Sequence, residues 1–196
     1  KGYRAATLNG GNLVFSGEAR KDIVQLTITS ESANQGKWNL IGNPYPSYIS
    51  IAEFLNHVGP SGQTNLEVLA ENSTAIYGYD GYANDGWHVI NLANMSDKLL
   101  APGQGFFVAA DSNATIEFTP SMRRTGSTDD FIAGRTAEIM ALQLMISAGN
   151  KNYKTDFYFN DNASEGLDMG YDAQTWGGQT SNFMLYSRLL EGDNGI

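Results

Sequence analysis

The chain contains no cysteine. Disulfides, thiolate nucleophiles and cysteine-ligated metals are therefore excluded. Charge is also scarce: 17% of the residues are Asp, Glu, Lys or Arg, where about a quarter is usual. Within that small set acids outnumber bases by 21 to 12, for a net charge of −9. A surface of that sign repels phosphate backbones and anionic lipid heads, which argues against nucleic-acid or membrane-surface binding. Strongly anionic polysaccharides are disfavoured for the same reason. No window approaches the ~18 uninterrupted apolar residues of a membrane-spanning helix. Lys1 leads into a polar stretch rather than an apolar signal core. That start, and the abrupt "EGDNGI" end, suggest an internal piece of a longer protein.

Several chemical motifs are missing as well. His57 and His88 are far apart and neither sits in an H-x-H or H-E-x-x-H context, so a zinc site is not indicated. No G-x-S-x-G elbow is present. "GQGFFV" (103–108) lacks the third glycine and following helix of a phosphate loop. A hydrolase or lyase would need an acid and a base poised together, and the sequence names no such pair. The reading is non-enzymatic.

What is present is glycine (22), tyrosine (10), phenylalanine (9) and a two-residue alternation of apolar and polar side chains. Segments 12–17, 22–30, 37–42, 74–81, 86–92, 103–110, 114–120, 137–148, 153–159 (after the turn "GNKN", 149–152) and 181–189 read as strands. Residues 12–17 and 22–30 read as a pair, 103–110 and 114–120 as a hairpin across "DSN", and 137–159 as a meander. One segment, "ISIAEFLNHV" (49–58), has helical spacing, with Ser50 as N-cap and Glu53 three residues on. Without a βαβ rhythm, the expected fold is all-β: an antiparallel β-sandwich, jelly-roll-like, with one short helix. Residues 1–196 read as a single domain, with a weak sub-boundary at 121–131.

Three places invite a functional reading. In "GNPYPSY" (42–48) two prolines bracket Tyr45 and hold Asn43 and Tyr45 extended. Either Trp38 and Tyr45 plug the core, or Tyr45 and Tyr48 stand out as a stacking platform. In "IYGYDGYANDGWHV" (76–89), an inward Ile76 would turn Tyr77 and Tyr79 outward. Tyr82 and Trp87 lie at the turn, with Asp80, Asn84 and Asp85 beside them. Flat aromatic faces rimmed by polar groups suit a neutral sugar, and burial in the core is the opposing reading. In 159–178, Asp161, Asn162, Glu165, Asp168 and Asp172 could supply hard oxygen ligands for a structural Ca²⁺, although the helix–loop–helix calcium spacing is absent. A solvated acidic loop is the alternative. Trp176, between glycines, is a second platform. No cofactor is required.

The order of "GKWNLIGNPYPSYI", "IYGYDGY", "APGQGFFVAA", "IEFTPSMR" and "LDMGYDAQTWGG" resembles a β-rich region near the C-terminal end of many large secreted proteins of the Bacteroidetes. That region precedes the sorting domain read by the type nine secretion system. The family's G-W-N-L-I-G-N-P-Y-P falls on Gly36–Pro46, with Lys37 inserted. Its aromatic "YxWDG"-like strand falls on Tyr77–Gly81, and its G-Q-G-F-F-V strand on Leu100–Val108. Its F-x-x-x-M-R segment falls on Phe118–Arg123 and its G-x-D-x-x-Y-D-A loop on Gly166–Ala173. The resemblance, covering about residues 22–188, implies secretion or cell-surface display beside adhesive or polysaccharide-degrading modules. It supplies no catalytic residue. The expectation is an accessory module that binds polysaccharide or a cell-surface glycan, or a structural spacer that contacts only neighbouring domains of its own polypeptide.

Overall fold

The computed structural model describes residues 14, 16–31, 37–79, 87–126, 140–175, 183–189 and 191. Over these the chain is all-β, in antiparallel sheets with one short α-helix, and the arrangement is sandwich-like. β1 (Val24–Ile28) pairs with β8 (Ala114–Phe118), in register from Val24 opposite Phe118 to Ile28 opposite Ala114. β2 (Trp38–Gly42), β7 (Gly105–Ala109), β4 (Ile76–Tyr79) and β5 (Trp87–Ile90) form a four-stranded sheet in that order. β3 (Tyr48–Ser50) lies between β6 (Leu99–Leu100) and β9 (Arg123–Arg124). β10 (Met140–Ala148) and β11 (Lys151–Phe159) form a separate hairpin. Gly149, at φ +62°, begins its two-residue turn, where a side chain would be strained.

α1 (Ile51–Asn56) starts where the sequence indicates, with the Ser50 side chain accepting a hydrogen bond from the Glu53 amide. Its apolar stripe of Ile51, Phe54 and Leu55 is buried. Phe54 stacks on Phe118 of β8 at 4.7 Å and meets Phe106 of β7 edge-on at 5.7 Å. One helical side chain thus packs against strands of both main sheets. Ile28, Ile41, Ile76, Ile90, Val108 and Ile116 complete the core around it.

One expected pairing and one expected strand differ, and a second expected pairing lies mostly outside the described residues. Residues 103–110 and 114–120 do form strands, but not a hairpin: β7 is bonded on both sides, by β2 and β4, and β8 pairs with β1. The chain therefore steps from one sheet to the other across Asp111–Asn113. Asn39 ties the two sheets, accepting from the Thr29 amide at 2.9 Å and donating to the Thr29 carbonyl at 2.9 Å. Segment 22–30 takes β8 as partner; of 12–17, only Val14, Ser16 and Gly17 are described, and none is in a strand. Residues 183–189 are likewise irregular rather than a strand. The "FMLYS" alternation imitates a strand, but among the described residues no strand ladder includes 183–189. The suspected break at 121–131 begins as a short 3-10 turn (Pro120–Met122) and β9; residues 127–131 lie outside the described set.

The proline-bracketed tyrosine is structural. Tyr45 is buried, and its hydroxyl lies 2.8 Å from the Asp22 carbonyl and 2.9 Å from that of Phe118, donating to one at a time. Asn43 accepts from the Tyr45 amide and donates to the carbonyls of Ser47, Leu100 and Ala101 at 2.7–3.2 Å. Burial raises the Tyr45 phenol above its ordinary range, with nearby Arg123 opposing.

Candidate functional site

The expected aromatic row begins on β4, and there the structure corrects it. Ala75, Ile76 and Tyr77 are all fully buried. Alternation predicts that an inward Ile76 turns Tyr77 outward, but β4 is an inner strand of its sheet and Tyr77 has no exposed surface. The Tyr77 ring meets Trp38 edge-on at 4.8 Å, and its hydroxyl donates to the Gln174 carbonyl at 3.0 Å. Burial holds its phenol far above the ordinary tyrosine range. Tyr77 is thus a core residue and no stacking platform. Tyr79 stands opposite Trp87 in the ladder; both side chains lie outside the described set, as do Asp80, Tyr82, Asn84 and Trp176 altogether.

The acidic loop is what holds Gln174 against Tyr77. Its own carboxylates close it locally. Asp168 accepts from the Ser164 amide at 2.8 Å and hydroxyl at 2.7 Å, and Asp172 accepts from the Asp168 amide at 2.8 Å. Burial, then the nearby Asp168 charge, raise the Asp172 carboxyl, while the Asp168 amide opposes them. Asp161, Asn162 and Glu165 are exposed. Among the described residues no group of three or more acids or histidines is arranged to hold a metal. The loop instead straps the four-stranded sheet. The Gly170 carbonyl accepts from the Leu92 amide at 2.7 Å, the Tyr171 carbonyl accepts from Asn91 Nδ2, and the Gln174 amide donates to the Asn72 carbonyl at 3.0 Å. Gly170 is required here: its φ is +83°, and a Cβ would come within 2.7 Å of Leu92. Lys37 Nζ joins the strap by donating to Asn72 at 2.9 Å and Gln174 at 3.4 Å. Burial lowers its ammonium pKa, which Asp111 partly offsets.

Beside the strap lies a surface groove of about 760 Å³. One wall is Pro60, Ser61, Gln63, Glu67 and Glu71; the other is Asp111–Thr115, where the chain crosses between sheets. Val68, Leu69, Ala114 and Met169 of the acidic loop supply its apolar surface. The Glu71 amide donates to Asp111 Oδ2 at 3.0 Å, linking the walls. Glu67 is held below the usual carboxylate range by the Thr64 amide, then the Thr64 hydroxyl. Among the described residues the charged side chains lining the groove are Glu67, Glu71 and Asp111, with no Lys, Arg or His. Sequence reading missed it because its walls are brought together from segments about fifty residues apart. The only local sign is the Glu67/Glu71 spacing after the "PSGQT" turn.

A second cluster was also missed. His57 Nε2 lies 2.8 Å from Glu117 Oε1, and Gln25 Nε2 donates to Glu117 Oε2 at 2.8 Å. Asn65 brackets the Glu117 backbone, accepting from its amide at 3.0 Å and donating to its carbonyl at 2.8 Å. The Gln25 and His57 hydrogen bonds hold the Glu117 carboxyl below the usual range. Both carboxylate oxygens are engaged, and neither residue lines the groove. This cluster fastens the loop after α1 to β8.

No curated protein and no solved structure matches the chain significantly. One family model matches it over residues 3–196, described as "Domain of unknown function (DUF8693)", and with a match of that extent the chain belongs to this family.

Proposed function

We propose that the protein is a non-catalytic accessory module of a secreted or cell-surface bacterial protein, and that it binds carbohydrate in the groove beside Asp111. The observation that carries this reading is the groove's chemistry. Hydroxyls (Ser61, Ser112, Thr115), amides (Gln63, Asn113) and carboxylates (Glu67, Glu71, Asp111) line an open trough with apolar side chains in it. Sugar rings present the matching surface, hydroxyls around a C–H face. The three carboxylates in the lining disfavour anionic glycans and favour neutral or amino sugars. The resemblance to secreted Bacteroidetes proteins supports the extracellular setting. The Tyr79–Trp87 end of the β4–β5 pair remains a candidate second contact.

Affinity electrophoresis against neutral polysaccharides and a glucosamine polymer tests this. The expected result is retardation by at least one of them, weakened about tenfold, or ~1.4 kcal/mol, in Asp111→Asn and in Ser112→Trp. Wild-type mobility unchanged across the whole panel would overturn it. A spacer without its own ligand is the second reading. It is favoured by Tyr45 and Tyr77, both aromatics that resembled platforms and both buried against structural partners.

A further inference from the structure

Lys37 and Asn72 meet at one end of the four-stranded sheet. Lys37 stands at the entrance to β2, and Asn72 lies in the 3-10 turn (Glu71–Ser73) that leads into β4. Both strands neighbour β7, and the chain leaving β7 runs between the two residues. The Ala110 amide donates to the Lys37 carbonyl at 2.8 Å, and the Ala70 amide donates to the Ala109 carbonyl at 2.9 Å. One residue on, Asp111 Oδ2 accepts from the Glu71 amide at 3.0 Å. Asp111 is thereby fixed beside both partners, and its charge acts on the Lys37 amine. Lys37 Nζ lies 2.9 Å from Asn72 Oδ1. With a C=O bond of about 1.23 Å, the nitrogen is then at most ~4.1 Å from the Asn72 side-chain carbonyl carbon. Ser73 is fully buried, and its hydroxyl donates to the same Asn72 oxygen at 3.3 Å.

Transfer of an acyl group from one amine to another needs a free amine, a polarised carbonyl and a group that moves the proton. Burial lowers the Lys37 pKa against the pull of Asp111, which enlarges the share of free amine. We propose that Lys37 and Asn72 join in an intramolecular isopeptide bond, with Asp111 as the proton carrier. The Nζ lone pair attacks Asn72 Cγ, and the carbonyl electron pair moves onto Oδ1, where the Ser73 hydroxyl stabilises it. Asp111 takes a proton from Nζ and delivers it to Nδ2. The carbonyl then re-forms, the Cγ–Nδ2 bond breaks, and ammonia leaves. One amide replaces another, so the step needs no oxidant, reductant or cofactor. Gln174 offers a second carboxamide to Nζ, but its oxygen is farther away, at 3.4 Å. The chain has no cysteine, and this bond ties β2 to the turn before β4 where a disulfide is not available. It needs no sugar in the groove, and its readout is a mass rather than binding.

Mass spectrometry of the purified 196-residue chain, held at mildly alkaline pH, tests the proposal. Wild type should become lighter by one ammonia, whereas Lys37→Arg and Asn72→Ala should keep the mass of their sequences. Trypsin should no longer cut after Lys37, so residues 22–98, bounded by Lys21 and Lys98, should appear as one peptide carrying the loss. Asp111→Asn, which keeps an oxygen for the Glu71 amide, should slow the loss by about a hundredfold. An asparagine that cyclises on its own backbone also releases ammonia, but it leaves Lys37 open to trypsin. A wild type that keeps its full sequence mass overturns the proposal. So does an ammonia loss that persists in Lys37→Arg, or one that leaves separate 22–37 and 38–98 peptides. A branch from Lys37 to Gln174 overturns the choice of Asn72, and an Asp111→Asn rate equal to wild type overturns the part given to Asp111.

Discussion

Replacing Asn43 by alanine should cost the fold more than removing any surface charge. Asn43 is 4% exposed, and its amide serves four backbone groups: it accepts from the Tyr45 amide and donates to the Ser47, Leu100 and Ala101 carbonyls. Alanine leaves these buried and half-buried groups without that partner. At ~0.5–1.5 kcal/mol net per bond, and more where a buried group stays unpaired, the loss is about 3–5 kcal/mol. For a chain of this size that lowers the melting temperature by roughly 6–20 °C. Urea unfolding followed by tryptophan fluorescence measures it directly. Asn43→Asp adds a signed test. At pH 7 its carboxylate faces three carbonyl oxygens and donates to none, so its folded pKa is raised above the unfolded value. Its deficit should therefore shrink as pH falls below that raised pKa, where the protonated acid donates again. A loss under about 1 kcal/mol in Asn43→Ala, or a deficit in Asn43→Asp that ignores pH, would refute the claim that this amide holds the proline-bracketed turn.

Two other outcomes follow from the geometry. Phe54→Ala removes the ring that packs against both main sheets, and chemical denaturation should show a loss of about 3–5 kcal/mol with little change in α1 helicity. Glu117 has a folded pKa below its unfolded one, so the stability it lends is present above the unfolded value and lost as pH falls through the folded one. Urea midpoints between neutral and strongly acid pH should decline less in Glu117→Gln than in wild type, and parallel declines would remove Glu117 from the account.

What the sequence makes legible here is local. Val24, Leu26 and Ile28 alternate with polar residues, and β1 forms over them; Ser50 and Glu53 bracket a helical stripe, and α1 starts there. "GNKN" (149–152) reads as a turn between two alternating runs and does turn a hairpin there, but the turn is only Gly149-Asn150 and β11 starts two residues earlier than expected, at Lys151. Partnership is another matter. The strands 105–109 and 114–118 look like a hairpin because only four residues, 110–113, separate them. Yet each finds a better neighbour far along the chain, β2 for one and β1 for the other. Those pairings, and not the short loop, set the two sheets. The same distance hides the groove, whose walls come from 60–71 and 111–115. Tyr77 shows the remaining limit. Alternation assigns a side chain to one of two faces, but what covers a face is decided elsewhere, here by a loop about a hundred residues downstream that sets Gln174 against the phenol. That loop reads as acidic and metal-binding because carboxylates dominate its composition. Its geometry spends Asp168 and Asp172 on nearby backbone groups and uses backbone carbonyls to grip the sheet. Composition reports which groups are present, and only the fold decides which of them are still free to meet a ligand.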